Sequence, residues 1–244
     1  MADSTYVIEI ASTDIGTTEA AVRGGADRIE LCSALSEGGL TPSHGTIRRC
    51  RERFDVALFP IIRPRGGDFL YSHDELASMC TDVRLCRELG CDGVVLGALD
   101  ADGRLPLSAL AKLINTAYPM EVTFHRAFDR CRDPFEALEQ LIQLGVQRIL
   151  TSGQQRTAPE GAGLIKKLVD AADGHIVLMP GSGVRADNIK ALAEATGCTE
   201  FHSSLRGTAD SAMQFRHPSF AATDFVRDVI EPDAVRSLRA ALEA

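Results

Sequence analysis

Short apolar runs rich in Val, Ile, Leu and Phe alternate with longer amphipathic segments along the chain. The runs at 6–11, 27–32, 57–63, 93–97, 120–125, 147–152, 175–180 and 199–204 have the length and β-branched content of buried strands. Between them, apolar residues recur at helical spacing, and local signals mark where several helices start and stop. The first helix-like segment, Asp14 to Gly24, carries Ile15, Ala20, Ala21 and Val22 and ends at a glycine pair suited to a C-cap. Ser72-x-x-Glu75 forms a capping box at the start of the third helix. Asp133-Pro134-Phe135-Glu136 puts Asp at the N-cap, Pro at N1 and Glu at N3 of the fifth.

An internal echo runs through this alternation. Gly25-Ala26-Asp27-Arg28-Ile29, Gly90-Cys91-Asp92-Gly93-Val94, Gly145-Val146-Gln147-Arg148-Ile149 and Gly197-Cys198-Thr199-Glu200-Phe201 each read as glycine, short link and strand. Their spacings of 65, 55 and 52 residues each hold two βα units. Eight such units in 244 residues predict a closed parallel (β/α)8 barrel of the TIM type rather than an open doubly wound sheet. Neither G-x-G-x-x-G nor a phosphate loop of the G-x-x-x-x-G-K-[ST] kind follows the first strand. The expected organisation is one α/β domain over 1–244, with the barrel over about 5–207 and a C-terminal helical extension over about 208–244. Within that extension, 205–222 reads as a polar loop and 223–243 as a helix interrupted at Pro232.

Composition narrows the function classes. With 45% hydrophobic and 25% charged residues the chain is an ordinary globular one. Lys and Arg number 26 against 34 Asp and Glu, and the resulting net charge of −8 argues against nucleic acid as a partner. No apolar run approaches the ~20 residues of a membrane span, and MADSTYVIEI lacks the basic start and apolar core of a secretory leader. The seven cysteines are odd in number and contain no Cys-x-x-Cys pair, which predicts a reduced, cytoplasmic protein with mostly buried structural thiols.

In a barrel of this kind the carboxyl ends of the strands form the active face. Glu9 falls on the first strand, Glu30 on the second with Cys32 two residues later, Arg63 at the end of the third and His125 at the end of the fifth. Thr151-Ser152 closes the sixth, and His202-Ser203-Ser204 the eighth. Neighbouring parallel strands lie ~4.8 Å apart, so Glu9 and Glu30 would share a proton or a cation, and Arg63 is the protein cation at hand. Glu9, Glu30 and His125 are therefore the acid/base candidates. Arg63 and Arg65 flank a proline ahead of two glycines, an arrangement suited to capturing a carboxylate or phosphate. Gly181 and Gly183 after the seventh strand, and Ser203 and Arg206 around the end of the eighth, occupy the places where barrels hold phosphate. Ser152 and His202 complete the anion-binding candidates, and the Gly-rich run Ser36 to Gly39 could close over the mouth. The alternative is a mouth that holds only a structural ion-pair network.

The stretches "GGADRIELCSALSEGGLTPS", "IRPRGGDFLYS", "TFHRAFDRCRDP", "RILTSGQQ", "MPGSGVRADNI" and "HSSLRG", in order between residues 24 and 207, closely resemble the copper homeostasis protein family known as CutC. The resemblance implies a cytosolic (β/α)8 barrel with a role in copper homeostasis and with copper binding, partly through Glu-hydrophobic-Cys motifs on the first two strands. The second strand keeps that motif as Glu30-Leu31-Cys32, whereas the first reads Glu9-Ile10-Ala11. A two-thiolate Cu(I) site of that kind cannot form within this chain, which leaves Cys32, with His125, as the metal-ligand candidates. Two functions follow as expectations: a copper-binding homeostasis protein, or a TIM-barrel metabolic enzyme acting on an anionic, phosphorylated or sugar-like small molecule by acid/base chemistry. The partner is accordingly a copper ion or an anionic small molecule, and the outer ring of helices could support a homodimer.

Overall fold

A computed structural model describes residues 6–244. Eight parallel strands are each followed by a helix on the outside: β1 (Val7–Ser12), α1 (Ile15–Arg23), β2 (Arg28–Leu31), α2 (His44–Arg53), β3 (Ala57–Pro60), α3 (His73–Glu88), β4 (Gly93–Leu96) and α4 (Leu107–Ala117) form the first half. β5 (Glu121–Phe124), α5 (Pro134–Gln143), β6 (Arg148–Thr151), α6 (Ala158–Ala172), β7 (Val177–Pro180), α7 (Ile189–Thr196) and β8 (Glu200–Ser203) follow. Hydrogen-bonded ladders run in the orders β3-β2-β1-β8 and β4-β5-β6-β7. A parallel bridge between Ile61 and Val95 joins the two at β3 and β4, and β7 lies against β8, closing the (β/α)8 barrel.

The helix boundaries follow local chemistry. The Asp14 carboxylate accepts from the Thr17 amide, and α1 stops at Gly24. Ser72 and Glu75 satisfy each other's backbone amides at the start of α3, and Asp133 caps α5 with Pro134 at N1. The four echo glycines, Gly25, Gly90, Gly145 and Gly197, all adopt φ between +74° and +89°. Each turns the chain from a helix into the next even-numbered strand, and a side chain there would strain the backbone.

Most strand residues are buried on both faces, which is why the strands read as continuous apolar runs. Outward residues such as Ile8, Ile10, Ile29, Leu58 and Phe124 pack under the helices in one large core. Inward residues form a second, small apolar cluster of Cys32, Phe59, Ile61 and Val95. The rest of the barrel interior is polar. Phe59 fits inside because Gly93 opposes it: a Cβ at Gly93 would lie 2.1 Å from the ring.

Beyond β8 the structure corrects the expectation of a helix interrupted at Pro232. Residues Gly207–Asp210 (β9) and Val226–Val229 (β10) pair antiparallel, and α8 (Pro232–Glu243) begins at Pro232. Proline lacks the amide that the first helical turn leaves unbonded, so it starts this helix instead of breaking one. Val235, Leu238 and Leu242 bury the inner face of α8, while Arg239 donates to the Tyr6 carbonyl and pairs with Asp27.

Gly93→Ala is expected to cost about 1–3 kcal/mol through overpacking against Phe59. Urea unfolding should show a lower midpoint with an unchanged slope.

Candidate active site at the carboxyl ends of the strands

Because strand side chains alternate, the inward series on β1 and β2 is Glu9, Ala11 and then Arg28, Glu30, Cys32. The ladder sets Glu9 level with Arg28 on one side and with His202 on the other. Arg28 Nε donates to Glu9 Oε2 at 2.5 Å, and its Nη2 pairs with Glu200. Arg148 reaches Glu200 at 2.9 Å and Glu121 at 2.8 Å. Both guanidiniums lie over the Phe59 ring, 5.2 and 5.4 Å from its centroid. The cation that meets Glu9 is thus Arg28, not Arg63: register brings Arg28 opposite Glu9, while Arg63 comes six residues after Ala57, the β3 residue level with Arg28.

Above this layer, His202 Nδ1 is 2.7 Å from Glu9 Oε1, which directs its Nε2 toward Glu30 Oε2 at 3.9 Å. Burial alone would raise the Glu9 carboxyl, but Arg28 and His202 outweigh it and hold it down at about 2. Glu30 has the opposite balance. It is 5% exposed, makes no hydrogen bond among the described residues, and burial pushes it up to about 7 against the pull of His202. Burial disfavours the charged imidazole of His202, but the two carboxylates prevail and raise it. Ligand atoms of Glu9, Glu30 and His202 lie within 4.8 Å of one another, but Arg28 and His202 already engage both Glu9 oxygens. A cation there would have to displace Arg28 or His202 from Glu9.

Glu30 and His202 form part of the floor of a cavity of about 720 Å³ at the mouth. Its wall carries the guanidiniums of Arg63, Arg126, Arg130, Arg185 and Arg206, of which Arg126 is paired with Asp129 and Arg185 with Asp187. Arg206 forms no ion pair among the described residues, and the backbone amides of Ser182, Gly183 and Val184 have no acceptor among them. Gly183 takes φ +75°, and Gly181 leaves room for Leu150 and the His202 ring. Ser203 Oγ donates to the Val184 carbonyl, tying the loops after β7 and β8 together.

Other candidates have different places. Arg63 is buried; its Nη atoms donate to the carbonyls of Glu37, Gly39 and Gly67, so it straps the Ser36–Gly39 loop to the segment after β3. Arg65 points away from the cavity, pairing with Asp68 and Glu75 at the start of α3 and lying over Tyr71. The Ser152 hydroxyl bonds to Asp129, Arg126 and the Gln155 carbonyl and so builds the loop after β6. His125 is 3% exposed and lines the cavity, packed 4.9 Å from the Phe69 ring; a Cβ at Gly97 would strike its ring. Cys32 is fully buried, donates to the Ser12 carbonyl at 3.4 Å, and has its thiol pushed up by burial first and by Glu30 second.

Arg28, Arg148 and Glu200 are the charged groups that the strand-end reading passes over, because they stand at the amino ends of their strands. Their signal is period-two spacing: Arg28-x-Glu30 and Glu200-x-His202 put both charges of each pair on one face.

Arg28→Met is expected to cost about 3–5 kcal/mol near pH 7 by leaving Glu9 buried without its cation. The contribution of a depressed carboxyl is present above the unfolded value of 4.5 and is lost as pH falls toward about 2. Urea unfolding across that window should therefore find the variant closest to the parent at the acid end.

Residues 6–207 match the family model described as the CutC family. A family protein CutC from Chromobacterium violaceum is 48% identical over 242 residues, covering 97% of this chain and 98% of its own. The human copper homeostasis protein cutC homolog is 45% identical over 241 residues, 96% of this chain and 88% of the relative. The solved structure of CutC from Streptococcus agalactiae is 31% identical, superposes with a TM-score of 0.79, and covers 82% of this chain and 98% of its own. With matches of this extent on a (β/α)8 barrel, the chain belongs to the CutC family.

Proposed function

We propose that this protein serves copper homeostasis, as the names of its relatives say, through a barrel-mouth site that binds an anionic small molecule and moves a proton on it. One observation carries the reading: Glu30, a buried carboxyl without a hydrogen bond among the described residues and poised near neutrality, lies beside His202 at the floor of an arginine-walled cavity. A carboxyl near pH 7 both accepts and returns protons efficiently, and the fixed imidazole beside it is a natural relay. Arg206 and the amides of Ser182–Val184 supply donors for a phosphate or carboxylate head.

Direct caging of Cu(I) fits these residues poorly. The soft donor on the inner side of this sheet is Cys32, which is fully buried below the cavity; burial pushes its thiol up and keeps it protonated, and β1 supplies no second thiol, Ala11 standing level with Glu30. The other six cysteines are buried on helices and outer loops or in the outer core, away from Cys32. His125 is held neutral by burial and by Arg63, and follows directly on β5, two strands beyond β3. Among the described residues, no helix is long and apolar enough to cross a membrane.

Sulfate, whose charge is constant around neutrality, is the probe for the anion site. Isothermal titration should find binding that tightens as pH falls through about 7, because Glu30 loses its negative charge and His202 gains a positive one. Glu30→Gln should flatten that profile, and Arg206→Gln should weaken sulfate by about tenfold or more. An absence of sulfate binding at every pH would sink the reading.

For copper, titration with Cu(I) against a competing chelator should give no tight stoichiometric complex. Stoichiometric uptake that disappears in Cys32→Ser would restore direct copper binding.

A further inference from the structure

The floor of the cavity sets two proton-exchanging atoms face to face without joining them. His202 Nε2 stands 3.9 Å from Glu30 Oε2, beyond hydrogen-bond reach, and neither atom has a hydrogen-bond partner among the described residues. Both residues line the cavity, and both atoms keep surface on it, whereas Arg63 Nε and His125 Nε2 are closed off. The place of the His202 proton follows from its other contact. Arg28 keeps Glu9 ionised, so Glu9 Oε1 can only accept, and the proton of the 2.7 Å contact belongs to His202 Nδ1. Nε2 is therefore the atom at which His202 gains or releases a proton, and Glu30 is the exchanging group opposite.

An ion pair present only for stability gains by closing to direct contact. Here the backbone holds the two groups apart: they come from β2 and β8, and β1 between them offers only the Ala11 methyl at the level of Glu30. An acid and a base fixed at this separation, both facing one cavity, address two neighbouring atoms of a ligand laid across them. Covalent routes are less well served, because Ser203 Oγ donates to the Val184 carbonyl and Cys32 is buried below the cavity. The wall also offers polar groups beyond the guanidiniums. Glu37 and Ser204 line the cavity, and neither side chain forms a hydrogen bond among the described residues, so both are free to meet ligand hydroxyls.

We propose that the site isomerises a phosphorylated α-hydroxy aldehyde or ketone, a sugar phosphate in its open form, by a 1,2 proton shift between Glu30 and His202. The phosphate sits on Arg206 and the Ser182–Val184 amides, and the carbonyl end lies over the floor. The Glu30 carboxylate takes the proton from the carbon next to the carbonyl. The C–H electron pair becomes the C=C bond of an enediol, and the carbonyl oxygen takes the proton of His202 Nε2. In the second half, the neutral Nε2 removes the proton of the neighbouring hydroxyl, whose oxygen becomes the new carbonyl, and Glu30 returns its proton to the former carbonyl carbon. Substrate and product are isomers, both residues end as they began, and no oxidant or reductant is consumed. Glu9 acts through His202 as a positioning residue. This assignment rests on the reading of the mouth as an anion site where a proton is moved, and adds the reaction and the substrate class.

The test incubates the full chain in D2O with ribose 5-phosphate, ribulose 5-phosphate, glucose 6-phosphate and fructose 6-phosphate and follows each by proton NMR. At least one should exchange the proton next to its carbonyl for deuterium and yield its isomer. Glu30→Gln, purified in the same way and so a control for contaminating enzymes, should lower the rate by about a hundredfold or more. A second readout needs no variant. Calorimetry on the unmutated protein compares 4-phosphoerythronohydroxamate and 5-phosphoarabinonohydroxamate, which mimic the enediol, with ribitol 5-phosphate and glucitol 6-phosphate, which lack a carbonyl. At one chain length the hydroxamate should bind at least about tenfold tighter than the alditol phosphate. The isomerase assignment is overturned, and the anion site stands, if alditol phosphates bind but no sugar phosphate exchanges its proton, if Glu30→Gln exchanges as fast as the parent, or if the hydroxamates have no advantage. Failure of every phosphate ester to bind would remove the anion site itself, and the assignment with it.

Discussion

The stacked ion pairs inside the barrel are the constraint on which the rest depends. A closed eight-stranded barrel must fill its interior with side chains, and here the lower layer is filled by Arg28 and Arg148 on the face of Phe59. Buried cations require anions, which Glu9, Glu200 and Glu121 provide. Gly93 makes the arrangement fit by yielding its side-chain space to Phe59. Everything above inherits its position from this layer. Glu9, held ionised by Arg28, fixes the ring of His202, and His202 in turn faces Glu30, the carboxyl left without a cation of its own. The difference between these two chemically identical side chains is one of register: Glu9 stands level with Arg28, whereas Glu30 lies two residues further along the ladder.

Much of the fold was legible because its determinants are local. Strand length, helix caps at Asp14, Ser72 and Asp133, and the echo of left-handed glycines are all written within a few residues of where they act. The β9–β10 hairpin was not, because Val226–Val229 becomes a strand only through its pairing with Gly207–Asp210, some twenty residues away, and nothing local excludes a helix there. The site was legible to the same extent. Strand order alone brings Glu30, His125, His202 and Arg206 to the cavity, whereas Glu9 lies buried beneath it, against Arg28 and His202. Which cation pairs with Glu9 depends on register across two strands, and apolar runs buried on both faces conceal that register. Arg65 shows the limit from the other side: Arg63 and Arg65 look alike in sequence, yet the intervening Pro64 and the end of β3 send one inward and the other to α3.

The mouth is also a place where family likeness and local chemistry point to different ligands. The name of the family turns attention to thiols, but in this chain the thiol at the mouth is protonated and walled by apolar side chains, while the polar groups around the cavity are oxygen acids and guanidiniums. Hard, hydrogen-bonding donors of that kind recognise oxyanions, and they do so by geometry as much as by charge.

The division of the barrel into two ladders bears on the order in which the chain can assemble. β4, β5, β6 and β7 are contiguous in sequence, so that ladder can form as soon as its own residues leave the ribosome. The other ladder places β1 between β2 and β8, and β8 begins 193 residues after β1 does. Until it arrives, the edge of β1 is open and Glu9 lacks His202, so the nascent protein must shield a half-finished sheet through most of its synthesis. The His202 side of the cavity floor comes with β8, the last strand of the barrel to be made.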